Sequence, residues 1–151
     1  MKREHDREEA MTTFAFEYRV RFSDTDWMGL LHHQHYPRLF EWAREELFRA
    51  RGQAFLGHIE QDRWLAVLEI AYNIKGPAKY DRVLRVMPRL TKVTRARIWI
   101  GYEVTDAETG DLIATGHSLH TVLNSKGKVV RLPKDLMDYA TAHLPDREQE
   151  R

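Results

Sequence analysis

The stretch that decides the fold is YPRLFEWAREELFRAR, residues 36–51. Apolar side chains recur there at spacings of three and four, which places them in one stripe along a helix. They stand at positions 36, 39, 40, 43, 47 and 50. Pro37 suits the first turn of a helix and Gly52 suits its end. The stretch therefore predicts a helix, and no other part of the sequence carries so long a helical pattern.

Strand patterns stand on both sides of this helix. Before it, apolar residues alternate with smaller or polar ones from Phe14 to Phe22, as in a half-buried strand. After it, short turns separate four further strand patterns, at residues 65–74, 83–90, 98–105 and 112–123. Residues 133–143 predict a short terminal helix. Strands joined by short connections lie antiparallel, so the order predicts an α+β domain, a five-stranded antiparallel sheet wrapped around one long helix.

Length and composition agree with one domain. The chain has 151 residues, and its charged ends predict disordered tails at 1–12 and 145–151 around a domain at 13–144. Twenty-four Lys and Arg against 23 Asp and Glu exclude a strongly basic nucleic-acid binder. The absence of cysteine excludes disulfides, thiolate metal sites and a cysteine nucleophile. No apolar run reaches the ~20 residues of a membrane span or forms a signal peptide, which predicts a cytoplasmic location.

Three segments carry a family resemblance. They are FSDTDWMGLLHHQHY (22–36) continuing into FEWAR (40–44), PAKYD (77–81), and GK with RLP (127–128 and 131–133). Together they resemble the hotdog-fold acyl-CoA thioesterases of the 4-hydroxybenzoyl-CoA thioesterase type. The resemblance implies a hotdog fold and hydrolysis of an acyl-CoA to a carboxylic acid and coenzyme A, without a cofactor. It also implies a homo-oligomer, a dimer or a homotetramer built as a dimer of dimers, with each site shared between subunits and no nucleic-acid or membrane partner.

Thioester hydrolysis needs a carboxylate or base near the carbonyl carbon and hydrogen-bond donors at the carbonyl oxygen. By the resemblance, Asp26 is the catalytic aspartate and the backbone N–H of His33 polarises the carbonyl. Gly29 permits a close turn between them, and the helix entrance supplies unpaired N–H groups. Asp26 would act as a nucleophile or align a water as a base, and the sequence leaves both routes open. Asp24 is expected to make only turn and cap hydrogen bonds.

Substrate-binding candidates are of two kinds. The phosphates of coenzyme A are negatively charged and are expected to bind Lys or Arg side chains. The candidates for this role lie near turns and are Lys92, Arg95, Lys128 and Arg131. The acyl pocket could be lined by Trp27, Met28, Leu30, Tyr36 and Phe40, although apolar residues at helical spacing more often belong to the core. Glu41, Arg44 and Glu45 are expected to form ion pairs on the helix surface, and Glu41 and Arg44 also match the family's helix motif.

Other chemistries fit less well. Five histidines suggest a metal site, namely His32, His33, His35, His117 and His120. The first three cluster at a bend and do not have the spacing of ligands on a helix. His117 and His120 are three positions apart on a predicted strand, so their side chains point to opposite faces of the sheet. No metal site is therefore expected. The segment GHSLH (116–120) lacks the last glycine of a serine nucleophile elbow. Two alternatives stay open: an acyl-carrier-protein thioesterase whose basic turns dock the carrier, and a hotdog module that binds acyl-CoA without hydrolysis.

Overall fold

The computed structural model describes residues 14–50, 52 and 55–144, with the side chains of 55–57 excepted. The elements in chain order are β1 (Phe16–Arg19), α1 (Tyr36–Ala50), α2 (Phe55–Glu60), β2 (Trp64–Ile74), β3 (Val83–Val93), β4 (Arg97–Asp106), β5 (Leu112–Leu123) and α3 (Lys134–His143). Two 3-10 turns, Phe22–Asp24 and His33–His35, lie between β1 and α1. The two predicted tails fall outside the described residues. Within those residues, no helix is long and apolar enough to cross a bilayer.

The five strands form one antiparallel sheet in the order β1-β3-β4-β5-β2. β2 is therefore an edge strand, although it follows α1 and α2 directly in the chain. Register irregularities lie between Val67 and Glu69 in β2 and between Leu90 and Lys92 in β3. Bulges of this kind bend a strand and increase its twist, which helps the sheet to curl around α1. The structure confirms the α+β hotdog fold.

The core lies between α1 and the inner face of the sheet. Leu39, Phe40 and Ala43 on α1 have no exposed surface. The Phe40 ring stacks on Tyr102 of β4 with a centroid separation of 4.3 Å. A Cβ atom at Gly116 of β5 would lie 2.7 Å from the Phe40 ring and 2.9 Å from the carbonyl oxygen of Ala71. The close packing of α1 on the sheet thus requires glycine at position 116.

The predicted first strand is too long. β1 ends at Arg19, and Phe22 begins a 3-10 turn instead of continuing the alternation. Phe22 is 80% exposed and packs edge to face on Tyr80, with ring centroids 6.0 Å apart. The turn forms because the buried Asp24 carboxylate accepts a hydrogen bond from the Arg21 N–H at 3.1 Å. Local hydrogen bonding overrides the apolar alternation here.

The other predicted elements are confirmed, with small shifts at their ends. The long helix ends at Ala50, and Gly52 follows with a φ of +73°, the left-handed conformation that favours glycine after a helix. β3 continues three residues beyond the predicted end, to Val93. The six-residue helix α2 was not predicted, because a segment of that length carries too little periodicity to identify.

Candidate active site

Asp26 begins a tight loop between β1 and α1. Its N–H donates to the carbonyl of Leu30 at 2.8 Å, and the N–H of Gly29 donates to the Asp26 carbonyl at 3.0 Å. Gly29 has a φ of +77°, which an L side chain rarely adopts. The side chain of Asp26 accepts two further bonds on Oδ1, from the N–H groups of Met28 at 2.9 Å and Leu30 at 3.2 Å. One carboxylate oxygen is therefore fixed, and Oδ2 has no partner among the described residues.

The turn at residues 77–81 holds this loop from the other side. The N–H of Leu31 donates to the carbonyl of Ala78 at 2.7 Å, and the N–H of Tyr80 donates to the carbonyl of Gly29 at 2.9 Å. Asp81 has a φ of +67°, and its N–H donates to the carbonyl of Val20 at 2.9 Å. The segments PAKYD and FSDTDWMGLLHHQHY are thus neighbours in space, joined by backbone hydrogen bonds.

The start of the helix lies directly after the loop. The His32 ring caps it by accepting the N–H of Gln34 on Nδ1 at 3.2 Å. The N–H of His33 has no acceptor in the part of the chain that the structure describes, and its carbonyl accepts the Tyr72 hydroxyl at 3.0 Å. The His33 ring is exposed and stacks on His32, with centroids 4.2 Å apart. A free backbone donor therefore stands at the helix entrance, near the loop of Asp26.

Asp24 has a different environment from Asp26. It is 4% exposed and accepts hydrogen bonds from the Tyr18 hydroxyl at 2.6 Å, from Arg38 Nη2 at 2.8 Å and from the Arg21 N–H. Burial acts to raise the pKa of Asp24, but these hydrogen bonds together hold it below its usual value. The bond from the Arg21 N–H is a cap hydrogen bond of the 3-10 turn, as expected, and Asp24 in addition ties β1, the loop and α1 together.

The predicted acyl-pocket residues divide into two groups. Trp27 is 97% exposed and Met28 is 67% exposed, both next to Asp26, and Leu30 is partly buried in the same loop. Tyr36 and Phe40 are fully packed core residues instead. Tyr36 stacks on Tyr72 at 5.5 Å, and burial raises the pKa of its hydroxyl to about 12. In one chain, only the loop residues are open to a ligand.

The predicted phosphate-binding cations lie at the other end of the sheet. Lys92 stands near the end of β3, where its amine lies 5.0 Å from the Trp99 ring centroid. Arg95 is in the following turn, and its carbonyl accepts the N–H of Leu132, which brings Arg131 to the same region. Lys128 follows β5 nearby. The loop of Asp26 adjoins the start of β3, an 11-residue strand about 36 Å long. One chain therefore does not bring these cations to Asp26.

The sequence analysis misplaced Arg44. The expected ion pair with Glu41 forms, with 3.9 Å between Arg44 Nη2 and Glu41 Oε2, but Arg44 is 4% exposed and is therefore not on the helix surface. Glu45 pairs with Arg49 instead, at 3.0 Å.

Arg44 belongs to a buried polar network that the sequence analysis did not identify. The Tyr102 hydroxyl, which also hydrogen-bonds Arg44, lies 2.7 Å from Ser118 Oγ, and that oxygen lies 2.7 Å from His120 Nε2. Burial and the charge of Arg44 lower the pKa of His120 to about 3, so its ring is neutral. The sequence did contain a signal for this network. Positions 118 and 120 lie two and four residues after Gly116 on the same strand, so all three face the interior.

His117 and His120 point to opposite faces, as predicted. His120 has no exposed surface, whereas His117 is exposed and its Nε2 lies 2.7 Å from Glu69 Oε1 on the outer face of the sheet.

A curled five-stranded sheet around one helix, with a carboxylate loop at the helix entrance, defines a hotdog-fold domain with a candidate active site. A model of the Thioesterase-like superfamily matches residues 20–139, and the chain belongs to this superfamily.

Several solved structures have the same fold as this chain. A hypothetical protein from Aquifex aeolicus is 29% identical with a TM-score of 0.77, covering 83% of this chain and 97% of its own. A DHNA-CoA thioesterase from Staphylococcus aureus is 26% identical with a TM-score of 0.77, and the match covers 85% of this chain and 86% of its own. A 1,4-dihydroxy-2-naphthoyl-CoA thioesterase from Synechocystis is 22% identical with a TM-score of 0.78, covering 87% and 96%.

Proposed function

We propose that this protein is a thioester hydrolase that cleaves an acyl-CoA to the free carboxylic acid and coenzyme A. The observation that carries the proposal is the loop of Asp26. One carboxylate oxygen is held by two backbone N–H groups, and the other is free beside a helix entrance where the His33 N–H has no acceptor among the described residues. Membership of the Thioesterase-like superfamily and the likeness to the Staphylococcus aureus DHNA-CoA thioesterase support a CoA thioester as the substrate.

The proposed chemistry divides between two groups. The N–H of His33, with the positive end of the helix dipole, stabilises the negative charge that develops on the thioester oxygen. In one route, the free Oδ2 of Asp26 attacks the carbonyl carbon and expels the coenzyme A thiolate, and water then hydrolyses the mixed anhydride. In the other route, Oδ2 takes a proton from a water that attacks the carbonyl and expels the thiolate directly. Both routes need the same carboxylate position, and the hydrogen bonds from Met28 and Leu30 fix that position.

A second copy of the chain is proposed to complete the site. β2 is a sheet edge, and antiparallel pairing with β2 of a second copy would place opposite ends of the two sheets side by side. The cations at the far end of one copy would then approach the loop of Asp26 in the other. In one chain, the Asp26 carboxylate and the proposed phosphate-binding cations stand at opposite ends of the sheet. This paired arrangement would bring them together in one site; the cations are Lys92, Arg95, Lys128 and Arg131.

The test is release of free thiol from a panel of short, long and aromatic acyl-CoAs, followed with a chromogenic thiol reagent. Asp26→Asn keeps the side-chain shape and removes the charge, so kcat/KM is expected to fall by about 10²- to 10⁴-fold. Asp138→Asn, at an exposed position of α3, is the matched control and should leave turnover unchanged.

Three outcomes would contradict the proposal. Turnover at the wild-type rate in a folded Asp26→Asn would remove Asp26 from the reaction. Hydrolysis of acyl-carrier-protein thioesters alone would favour the carrier protein over coenzyme A. Binding of acyl-CoA without hydrolysis of either thioester would indicate a binding module.

A further inference from the structure

Tyr72 joins the edge strand β2 to the 3-10 turn at the helix entrance. Its hydroxyl donates to the carbonyl of His33 at 3.0 Å. The turn also has bonds of its own: the N–H of His35 donates to the His32 carbonyl at 3.0 Å, and the N–H of Tyr36 donates to the His33 carbonyl. These two bonds are local and move with the turn. Among the described residues, the bond from Tyr72 is the one hydrogen bond that connects the turn to the sheet.

The ring of Tyr72 is held independently of its hydroxyl. It stacks on Tyr36 with an interplanar angle of 29°, and it packs edge to face on Phe40 with ring centroids 6.1 Å apart. Tyr36 is 1% exposed and Phe40 has no exposed surface, so both rings are fixed in the core. The core residues of α1 therefore aim the Tyr72 hydroxyl at the His33 carbonyl.

The bond from Tyr72 fixes His33 on the side opposite to its free N–H. That N–H belongs to the peptide unit between His32 and His33, whose carbonyl is held by the His35 N–H. The carbonyl of His33 belongs to the next peptide unit, and its two lone pairs are taken by Tyr36 and Tyr72. The direction of the His33 N–H is thus set relative to the sheet as well as to the helix. A donor that is fixed before the reaction stabilises a developing charge without a cost of reorganisation.

We propose, on the basis of the hydrolase function above, that Tyr72 is a positioning residue for the reaction. Its hydroxyl holds the His33 N–H at the place where the thioester oxygen becomes negatively charged. Tyr72 acts through the His33 carbonyl and needs no contact with the substrate. The oxygen carries more charge in the transition state than in the bound substrate, so a loss of alignment lowers kcat more than it changes KM.

Tyr72→Phe tests this role because it removes the hydroxyl and keeps the stacked ring. We expect kcat for thiol release to fall about 10-fold, the effect of one hydrogen bond, with KM changed by less than about twofold. The fall should be smaller than the roughly 10²- to 10³-fold that follows the loss of an oxyanion donor itself.

Tyr102→Phe is the matched control. Tyr72 and Tyr102 both lie opposite Gly116, one on each side of β5, and both pack on Phe40. The Tyr102 hydroxyl, however, bonds Ser118 in the core and not the turn. This variant should leave kcat unchanged at whatever cost in stability, and circular dichroism checks that both variants are folded.

A second measurement reports on the His33 N–H without hydrolysis. The probe is an S-(2-oxoalkyl)-CoA analogue, isotope-labelled at the carbonyl carbon, in which a methylene between carbonyl and sulfur prevents hydrolysis. A hydrogen bond to a carbonyl oxygen polarises the C=O bond and lowers its stretching frequency. The infrared band of the bound analogue should therefore lie at a higher frequency in Tyr72→Phe than in wild type, and Tyr102→Phe should keep the wild-type band.

The outcomes separate this proposal from the proposed function. Wild-type kcat and an unchanged band in a folded Tyr72→Phe would overturn the role of Tyr72 and leave the hydrolase standing. Equal effects of Tyr102→Phe on both readouts would also overturn it, because a general loss of core packing would then explain the result. A band shift that depends on Tyr72, without thiol release from any thioester, would keep the positioning of the N–H and refute the hydrolase.

Discussion

At the scale of the residue, two aspartates two positions apart have opposite surroundings. Asp24 is buried under three donors that come from β1, the loop and α1. Asp26 is partly exposed, and only one of its carboxylate oxygens is occupied. A fully hydrogen-bonded carboxylate stabilises structure, whereas a carboxylate with a free oxygen can react. This contrast supports our proposal that Asp26 reacts, and it gives Asp24 the role of positioning the loop.

Asp24→Asn should lower the free energy of unfolding by about 1–3 kcal/mol at neutral pH, because it removes the charge that Arg38 and Tyr18 bind. The native pKa of Asp24 is below its usual value, so its contribution is present above the unfolded pKa and is lost as pH falls through the native pKa. Urea denaturation from neutral pH downward should show the gap between wild type and variant closing in acid. A gap that stays constant, or an equal loss in Asp138→Asn, would contradict this.

The sequence predicted the close turn at Gly29, and Asp26 stays a proposed catalytic residue, but the position of Arg44 could not be predicted. A Glu and an Arg three positions apart on a helix have the same spacing on an exposed face as on a buried one. Only the position of the sheet decides which face is covered, and that depends on the pairing of β2, β4 and β5. The spacing of Glu41 and Arg44 therefore predicted the two partners of the ion pair correctly, but it did not predict that Arg44 is buried.

At the scale of the element, the loop before α1 depends on one backbone conformation. Gly29→Ala adds a Cβ that meets no heavy atom within 4 Å, so its cost comes only from the φ of +77°. We expect a loss of about 1–2 kcal/mol in the free energy of unfolding. We also expect a fall in kcat/KM, because the same turn holds Asp26.

Gly52 provides a matched control for this variant. It has a φ of +73° and open space around a Cβ, but it lies after the C-terminal end of α1, at the opposite end of the helix from the site. Gly52→Ala should cost about the same stability without loss of thiol release. Equal loss of activity in both variants, or in neither, would show that the turn at Gly29 does not control the position of Asp26.

The strand predictions were correct where one face of the strand packs on the core. The prediction failed where local hydrogen bonds determine the path of the backbone. β2, β3, β4 and β5 follow their apolar patterns because the inner face packs on α1. The pattern from Phe14 to Phe22 has the same appearance, but hydrogen bonds to Asp24 turn the chain at Phe22. Apolar alternation reports burial, and it carries no information on a buried carboxylate that draws the backbone into a turn.

At the scale of the whole molecule, the sheet has an open edge at β2. β2 carries exposed apolar side chains, namely Trp64, Val67, Leu68 and Ile74. A long apolar edge strand is a ready template for pairing with another chain. The separation of the cations from Asp26 could not be predicted from the sequence, because it follows from the order of strands and not from any local pattern.

The shared site predicts that assembly and activity are lost together. Leu68 stands at the bulge of β2 and is 50% exposed, so Leu68→Lys places a charge on the pairing edge without disturbing the core. Light scattering after size exclusion should show wild type as a dimer or larger and the variant shifted toward monomer, with thiol release reduced in the same proportion. Glu103→Lys, at an exposed position of β4 that β5 separates from β2, should change neither. A fully active monomer would contradict the shared site, since its own cations stand at the opposite end of the sheet from the loop of Asp26.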